Sequence, residues 1–330
     1  MRGRTGTCLS GAGYFPAAAR IGWGPVMVMI KRVLALLGSG ALAILLLRQA
    51  ETAAQAVRDG VQLCLTSVVP ALFPFFAVSS LLVALGAAEA AGRVLAHPFR
   101  RLFRCGGAGC AALLLGLVGG YPVGARTAAE LVRRGELSPA EGARLLTFCN
   151  NAGPAFAIGV AGVSVFGSAR TGAWLYLLHC AAALLTGLLF CRRPLPVTAM
   201  PKRPVPPQTG LTGQFLRAVE GAVSAMARVC GFVVFFLVLL RLAEGLIGPL
   251  PPLAAGVLEL TNGILRLMPD RRGFVTAAAL LSWGGLSVHC QTAAVTAGSG
   301  ISLRLYLPAK AVQAALSAGL AALLAPYLLP

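Results

Sequence analysis

The stretch AALLLGLVGGYPVGARTAA, residues 111–129, places an apolar run directly before a cluster of helix-breaking residues. The break contains Gly119, Gly120 and Pro122, and the apolar segment that precedes it, Gly106–Val118, is too short to cross a bilayer and return. We interpret it as a broken or re-entrant membrane helix. Non-helical backbone at membrane depth is tolerated only where it is buried in protein or lines a cavity, so the break predicts a setting of that kind.

The composition of the whole chain agrees with a membrane protein. Of the 330 residues, 57% are hydrophobic and 12% are charged, and the mean hydropathy is +0.81. Soluble domains carry about one quarter charged residues, so this chain could not cover a water-soluble surface. Its length allows roughly eight to ten spans of about 20 residues each. The predicted fold class is all-α, a polytopic transmembrane helix bundle.

The distribution of charged residues indicates which loops are cytoplasmic and which classes of partner the protein can bind. Twenty-eight Lys and Arg against ten Asp and Glu give a net charge of +18, and most cations lie at the ends of apolar runs. This pattern indicates the positive-inside bias of membrane proteins, whereas basic stretches interleaved with aromatics, which would favour nucleic acid, are missing from the sequence. We expect a lipid bilayer and a small anionic solute as partners, because a positive field favours anions.

The chain divides into four predicted regions. Residues 1–28 form an extension that we expect to be disordered, 29–191 the first membrane half, 192–215 a Pro-rich basic cytoplasmic linker, and 216–330 the second membrane half. Pro70 and Pro74 predict a broken helix. The amphipathic segment Arg126–Arg144 is placed on the cytoplasmic side, with a helix-start box at Ser138–Glu141. The expected spans are Val33–Leu47, Val61–Leu85, Leu145–Val165, Gly172–Phe190, Gly221–Leu242, Leu253–Met268, Phe274–Ala297 and Leu303–Leu329.

The broken segment recurs later in the chain. A shift of 165 residues aligns residues 111–129 with TAAALLSWGGLSVHCQTAA, residues 276–294, with eight identities in nineteen, among them Gly284 and Gly285 against the first glycine pair. Duplicated halves that each contain a broken helix are typical of secondary transporters, whose site lies where the breaks meet. We therefore expect two related halves, inverted if the first enters at Val61 from outside and the second at Gly221 from the cytoplasm.

Polar residues beside the breaks are the candidate substrate ligands. Arg126 and Gln291 occupy equivalent positions in the repeat, and a guanidinium can bind a carboxylate through two hydrogen bonds. The alternative is that Arg126 anchors the start of the cytoplasmic segment. Tyr121 and Ser287 lie in the two breaks and complete this part of the predicted site.

A second group of polar residues lies near predicted span ends. Asn150 and Asn151, followed by Gly153 and Pro154, would offer amides and freed backbone groups to a polar solute, or would form a helix cap.

Two further residues are candidates for proton coupling. Glu259 lies in an apolar run, where an ionisable group is a functional candidate, although pairing with an Arg or a position near the interface would also explain it. His289 can carry a proton, or it can be a buried and satisfied histidine.

Enzyme chemistry and cofactors are not predicted. The sequence has no GxSxG, HExxH or P-loop motif, so we assign no catalytic residues. Its nine cysteines are scattered, with no CxxC pair and no His at ligand spacing, so we assign neither a metal nor a cofactor.

Four motifs in order carry a family resemblance: GGYPVGAR (119–126), FCNNAGP (148–154), ELTNG (259–263) and GGLSVHCQ (284–291). They resemble the sporulation integral membrane protein YlbJ family, with its nucleoside-recognition or gate-type domains. The resemblance implies a transporter that moves dipicolinic acid across a cell or forespore membrane of an endospore-forming bacterium. It also leaves open a nucleoside or ion transporter or gate, a structural sporulation membrane protein, and a homo-oligomer.

The clustered cations predict that the N-terminus and the linker are cytoplasmic. A cysteine introduced at Thr198 should therefore react with an impermeant maleimide only from the cytoplasmic face of sealed vesicles, and with a permeant maleimide from either face. Reaction with the impermeant reagent from the opposite face would reverse the orientation and remove the basis for inverted halves.

Overall fold

A computed structural model describes residues 23–192 and 210–328, and all regular structure within these ranges is helical. Two of the segments are π-helical, Cys64–Val68 and Ala155–Val165. The α-helices are α1 (Trp23–Arg48), α2 (Ala50–Leu63), α3 (Val69–Ala84), α4 (Ala87–Phe103), α5 (Gly109–Gly119), α6 (Val123–Arg133), α7 (Pro139–Leu146), α8 (Ala169–Phe190), α9 (Leu211–Ile247), α10 (Pro252–Leu258), α11 (Leu260–Leu265), α12 (Arg271–Trp283), α13 (Gly285–Thr296) and α14 (Tyr306–Leu328).

Among the described residues, four helical stretches are long and apolar enough to cross a membrane: α8, α9, Arg271–Thr296 and α14. A fifth results if the consecutive segments Arg32–Arg48 and Ala50–Val68 are counted together as one span. Further apolar helices are shorter, including α5 and the π-helical segment Ala155–Val165. The prediction of an all-α membrane bundle is confirmed.

Two predicted spans are wrong because polar residues divide them. Leu145–Val165 was expected to cross the membrane, but α7 ends at Leu146 and the next helical residue after the extended stretch is Pro154. Leu253–Met268 consists of the short helices α10 and α11, which meet at Glu259. Each division leaves helices too short to span hydrocarbon.

Several predicted boundaries move. Helix α1 begins at Trp23, so residues 23–28 of the predicted extension are helical, while residues 1–22 lie outside the described residues. Helix α9 begins at Leu211, inside the predicted linker, whose residues 193–209 also lie outside the described ranges.

The prolines of the second predicted span do not break it. Pro74 lies inside α3, and the π-helical turn Cys64–Val68 immediately precedes the helix that contains Pro70. Proline lacks an N–H and its ring collides with the carbonyl four residues earlier, which for Pro70 is Thr66. A wider turn at that point accommodates both effects while the helix continues, so the expected broken helix is wrong.

Large side chains pack in several hydrophobic clusters. Phe76 lies buried where α3 packs against α9. Phe103 and Phe148 stack at 4.6 Å between ring centroids in a cluster formed by α4, α5, α6 and α7. Leu175 and Phe274 lie in the cluster that joins α8, α12 and α14. Many other apolar side chains are exposed, as expected for helices that face lipid.

The predicted amphipathic segment Arg126–Arg144 is two helices. Between α6 and α7, Ser138 accepts a hydrogen bond from the Glu141 backbone N–H at 3.2 Å, and the Glu141 carboxylate accepts one from the Ser138 N–H at 2.9 Å. The predicted helix-start box is confirmed. The Glu141 carboxylate also accepts a hydrogen bond from the Gly106 N–H at 2.8 Å and so fixes the approach to α5.

Glycines bring backbones together where α5 and α6 flank the first break. A Cβ at either Gly116 or Gly124 would overlap the carbonyl oxygen of Cys149. By contrast, a Cβ at Gly231, which is exposed in α9, would have no atom within 4 Å. The extended segment after α7 therefore depends on small residues in α5 and α6 for its position.

Gly116→Ala should lower the stability of the detergent-solubilised protein by about 1–3 kcal/mol, because an overpacked contact must shift. Gly231→Ala is the matched control, since it gives the same gain in helix propensity without a collision. Thermal unfolding of both variants provides the comparison. Equal melting temperatures for the two would contradict the close contact with Cys149.

Candidate functional site

The two predicted helix breaks are in direct contact. Gly119 ends α5, Gly120 follows it, and Gly284 separates α12 from α13. The Tyr121 hydroxyl, from the first break, donates a hydrogen bond to the Leu281 carbonyl oxygen at 2.9 Å, and a Cβ at Gly284 would lie 3.1 Å from Tyr121. The two breaks therefore meet, as the sequence predicts, while the internal repeat itself stays a prediction.

Backbone conformation explains the glycines of the breaks. Gly120, Gly284 and Gly285 have φ values of 75°, 92° and 78°, which other residues rarely adopt. Gly120 also lies against Gly153, where a Cβ would come within 3.1 Å of its backbone. Pro122 follows Tyr121 through a cis peptide bond and precedes α6.

The predicted asparagines lie in a buried polar network at this junction. Asn150 and Asn151 are fully buried in the extended segment between α7 and the π-helical segment. The Asn151 carbonyl group accepts a hydrogen bond from the Gln313 amide at 2.9 Å, and its own amide donates to the Phe148 carbonyl oxygen at 2.7 Å. The Asn151 side chain thus joins the segment to α14. Pro154, partly buried, precedes the π-helical segment.

Lys310, on α14, is the charged member of this network and is fully buried. Its ammonium donates to the Asn150 backbone carbonyl at 3.0 Å and to the Gln313 carbonyl oxygen at 2.8 Å, and it lies 5.2 Å from the centre of the Tyr121 ring. None of the ion pairs among the described residues includes Lys310. A buried lysine without a carboxylate is unusual, because transfer of an unpaired charge from water is costly.

The network continues through the Tyr306 hydroxyl. It accepts a hydrogen bond from the Asn150 amide at 3.1 Å and lies 3.1 Å from the Thr292 hydroxyl and 3.2 Å from His289 Nδ1. The Asn150 amide also donates to Thr292 at 2.8 Å. Two buried atoms, Asn150 Oδ1 and His289 Nε2, have no hydrogen-bond partner within the described part of the chain.

His179 connects two of the site's segments. Its Nε2 accepts a hydrogen bond from the Ala152 N–H at 3.1 Å, while its Nδ1 lies 2.8 Å from the Ser282 hydroxyl on α12. A lone histidine in an apolar span is expected to pack against or bond a neighbour, and the two hydrogen bonds of His179 confirm that role. It holds the extended segment against the helix that ends in the second break.

Glu259 lies apart from these hydrogen bonds and caps a helix. Its carboxylate accepts hydrogen bonds from the backbone and side chain of Asn262 at 2.8 and 2.7 Å at the start of α11. Burial raises the pKa of the Glu259 carboxyl, while the Asn262 hydrogen bonds oppose that rise. The alternative pairing with an Arg is wrong within the described residues, because none of their ion pairs includes Glu259.

Arg126 and Gln291 line one small cleft between α6, α9 and α13. Arg228 of α9 and Pro122 of the first break also line it. Partial burial and the neighbouring Arg228 cation both lower the pKa of the Arg126 guanidinium, which donates to the Gly221 carbonyl at 3.3 Å. Gln291 is buried and donates to the Ser287 hydroxyl at 3.2 Å. Two of the predicted ligands therefore face the same space.

Sequence reasoning missed the contribution of α14. From the sequence alone, Lys310 and Arg228 are expected to mark span ends, as cations beside apolar runs commonly do, but Lys310 is buried in the network and Arg228 lines the cleft. A signal was present, because Lys310, Gln313 and Ser317 are polar residues at helical spacing in an otherwise apolar helix, and all three are fully buried. Such a stripe in a membrane span faces protein rather than lipid.

Comparison with known proteins shows two similarities in sequence. The family model described as Gate, nucleoside recognition, matches residues 65–169, which include the first break, Arg126 and the two asparagines. The chain is 27% identical over 310 residues to the sporulation integral membrane protein YlbJ of Bacillus subtilis (strain 168), covering 78% of this chain and 74% of the relative. No solved structure matches. The resemblance inferred from the motifs is confirmed, and the chain is a multi-pass integral membrane protein similar to a sporulation protein.

His179→Leu should destabilise the folded protein by about 1–3 kcal/mol for each buried group left unpaired, namely the Ala152 N–H and the Ser282 hydroxyl. His97→Leu is the matched control, because His97 is exposed on α4. Thermal unfolding in detergent measures both. A melting temperature for His179→Leu as high as that of the control would refute the bridging role.

Proposed function

We propose that this multi-pass membrane protein is a secondary transporter for a small anionic solute, with dipicolinic acid as the favoured substrate. Contact between two helix breaks, beside a mostly apolar cleft that also contains Arg126 and Arg228, is the observation that carries the proposal. Similarity to a sporulation membrane protein supports the assignment to a cell or forespore membrane during endospore formation. The match to a nucleoside-recognition family supports a solute-handling role over a purely structural one.

The cleft has the chemistry to bind a carboxylate. Arg126 and Arg228 face it together, and neither is in an ion pair among the described residues. Two cations that share a small space repel each other, and an anion between them would relieve the repulsion. A guanidinium offers paired N–H donors in the geometry of a carboxylate, and the Gln291 amide adds a neutral polar group.

Coupling to a proton is assigned to His289 in preference to Glu259. His289 Nε2 has no partner within the described residues, whereas the Glu259 carboxylate already caps α11. An imidazole with one free nitrogen can take up and release a proton without breaking the hydrogen bond at the other nitrogen. Because both ring nitrogens are donors in the protonated imidazole, protonation at Nε2 would fix Nδ1 as the donor to the Tyr306 hydroxyl and so act on the link between α13 and the asparagines.

A nucleoside is the second candidate solute, and the family match is the observation that favours it. The Asn150, Asn151 and Gln291 amides suit a neutral polar solute, whereas the two arginines of the cleft suit an anion. Uptake of labelled dipicolinate into proteoliposomes, with nucleosides and other carboxylates as competitors, separates these solutes. A dependence on a proton or sodium gradient separates a coupled transporter from an uncoupled gate.

Arg126→Ala should weaken the apparent affinity for dipicolinate roughly ten- to hundredfold, since a hydrogen bond to a charged group contributes about 1.5–3 kcal/mol and about 1.4 kcal/mol is tenfold. Arg126→Lys should be intermediate, because it retains the charge and loses the paired donors. Concentration-dependent uptake into proteoliposomes measures both variants.

The control is Arg170→Ala, which removes an exposed cation at the start of α8, away from the lining of the cleft. It should leave uptake unchanged. Normal uptake by folded Arg126→Ala would reject Arg126 as a substrate ligand and leave the Gln291 and Asn150 amides as the remaining candidates.

A further inference from the structure

We infer that Lys310 forms a second, inner binding site for a carboxylate group of the solute, behind the cleft lined by Arg126 and Arg228. This inference rests on the proposed function, because it adds a second position on the path of the same anion. It assigns to Lys310 the role of the cation that receives the solute once it has left the cleft.

The first support is the missing counter-charge. Lys310 is fully buried, and within the described residues no Asp or Glu forms an ion pair with it. Its neighbours are neutral groups, the Asn150 carbonyl and the Gln313 amide. A buried ammonium in a membrane span is normally paired with an acid or faces a functional cavity, so its natural partner here is an anion that enters from outside the chain.

The second support is the unused hydrogen-bonding capacity around Lys310. An ammonium has three N–H donors, and two of them have partners within the described residues. Asn150, which accepts one of these bonds through its backbone, has an unpaired Oδ1, and His289 has an unpaired Nε2. Both of these side chains contact the Tyr306 hydroxyl, so a cation and two unpaired polar atoms belong to one connected network. Of these groups, the third N–H of the ammonium and His289 Nε2, when it carries a proton, can donate to a carboxylate, whereas Asn150 Oδ1 is an acceptor and does not bind one.

The third support is the short connection to the cleft. Pro122 lines the cleft, and the adjacent Tyr121 lies with its ring 5.2 Å from the Lys310 ammonium. On α13, Gln291 lines the cleft while the next residue, Thr292, bonds Asn150 and Tyr306. One aromatic ring and one helix therefore separate the two cationic positions. Movement of Tyr121 would let a carboxylate pass from the arginines to Lys310.

The inner site predicts a separation of kinetic effects. Lys310→Met should slow exchange of labelled dipicolinate across proteoliposomes at saturating solute by at least tenfold. Binding of dipicolinate in the cleft should be unchanged. It can be measured with Ala225→Cys, a cysteine placed in the cleft: bound dipicolinate should protect this cysteine from a maleimide, and mass spectrometry of the labelled peptide gives the extent of protection. Lys310→Arg should keep exchange within about threefold of the wild-type rate, because about 0.65 kcal/mol corresponds to threefold and the charge is retained.

Arg304→Met is the matched control, since it removes an exposed cation six residues earlier and should not change exchange. Exchange by Lys310→Met within twofold of wild type would overturn the inner site. The inner site would also be overturned if Lys310→Arg and Lys310→Met lost the same fraction of the exchange rate and the same amount of thermal stability. Lys310 would then have a structural role. If Lys310→Met does not fold, Lys310→Gln, which keeps a donor for the Asn150 carbonyl, decides by the same criteria.

These results are separable from failure of the proposed function. If the wild-type protein does not exchange dipicolinate and the Ala225→Cys variant shows no protection by dipicolinate, the transport proposal fails. If exchange and protection are both observed and Lys310→Met exchanges at the wild-type rate, only the inner site fails.

Discussion

The hydrogen-bonding requirement of a broken backbone in lipid governs this structure. Each unpaired N–H or carbonyl in hydrocarbon costs several kcal/mol, on the order of 2–7 by transfer measurements, so breaks must be buried against protein. Here the extended segment around Asn150 lies against the glycines of α5 and α6, and its Ala152 N–H is bound by His179. Helices α8, α12 and α14 pack around this junction because they supply the polar groups that the break needs.

The same requirement brings polar chemistry to the centre of an apolar protein. Once amides and hydroxyls satisfy the backbone, they also form an environment in which a lysine can be held without an acid. On insertion scales a lysine near the centre of a membrane helix costs about 2.5–3.5 kcal/mol. Hydrogen bonds to Asn150 and Gln313 offset part of that cost, and an arriving anion would offset the rest. Under the proposed function, structural stabilisation and solute recognition use one set of residues.

Local sequence patterns predicted helix ends and breaks better than they predicted contacts between helices. Glycine and proline clusters identified both breaks, since their conformational limits act within a few residues, and the Ser138 box was correct for the same reason. Hydropathy failed for Leu253–Met268, because a single carboxylate, Glu259, ends one short helix and begins the next. The site was only partly predictable. Asn150 could be predicted because it lies close to a glycine and proline in the sequence. Lys310 contacts Asn150 only because α14 packs against α8 and α12, and no local sequence pattern specifies that packing.

The polar network contains residues from before and after the linker, so a fragment with one half lacks part of it. Asn150 and Asn151 come from the segment that matches the nucleoside-recognition family, while their partners Thr292, Tyr306 and Gln313 come from the second half. A polypeptide that contained the first half alone would present bare amides to lipid tails. Such a half should therefore associate with a chain that offers complementary polar groups. Two separately synthesised halves should reassemble through these amides, because lipid tails provide apolar contact as well as another helix does.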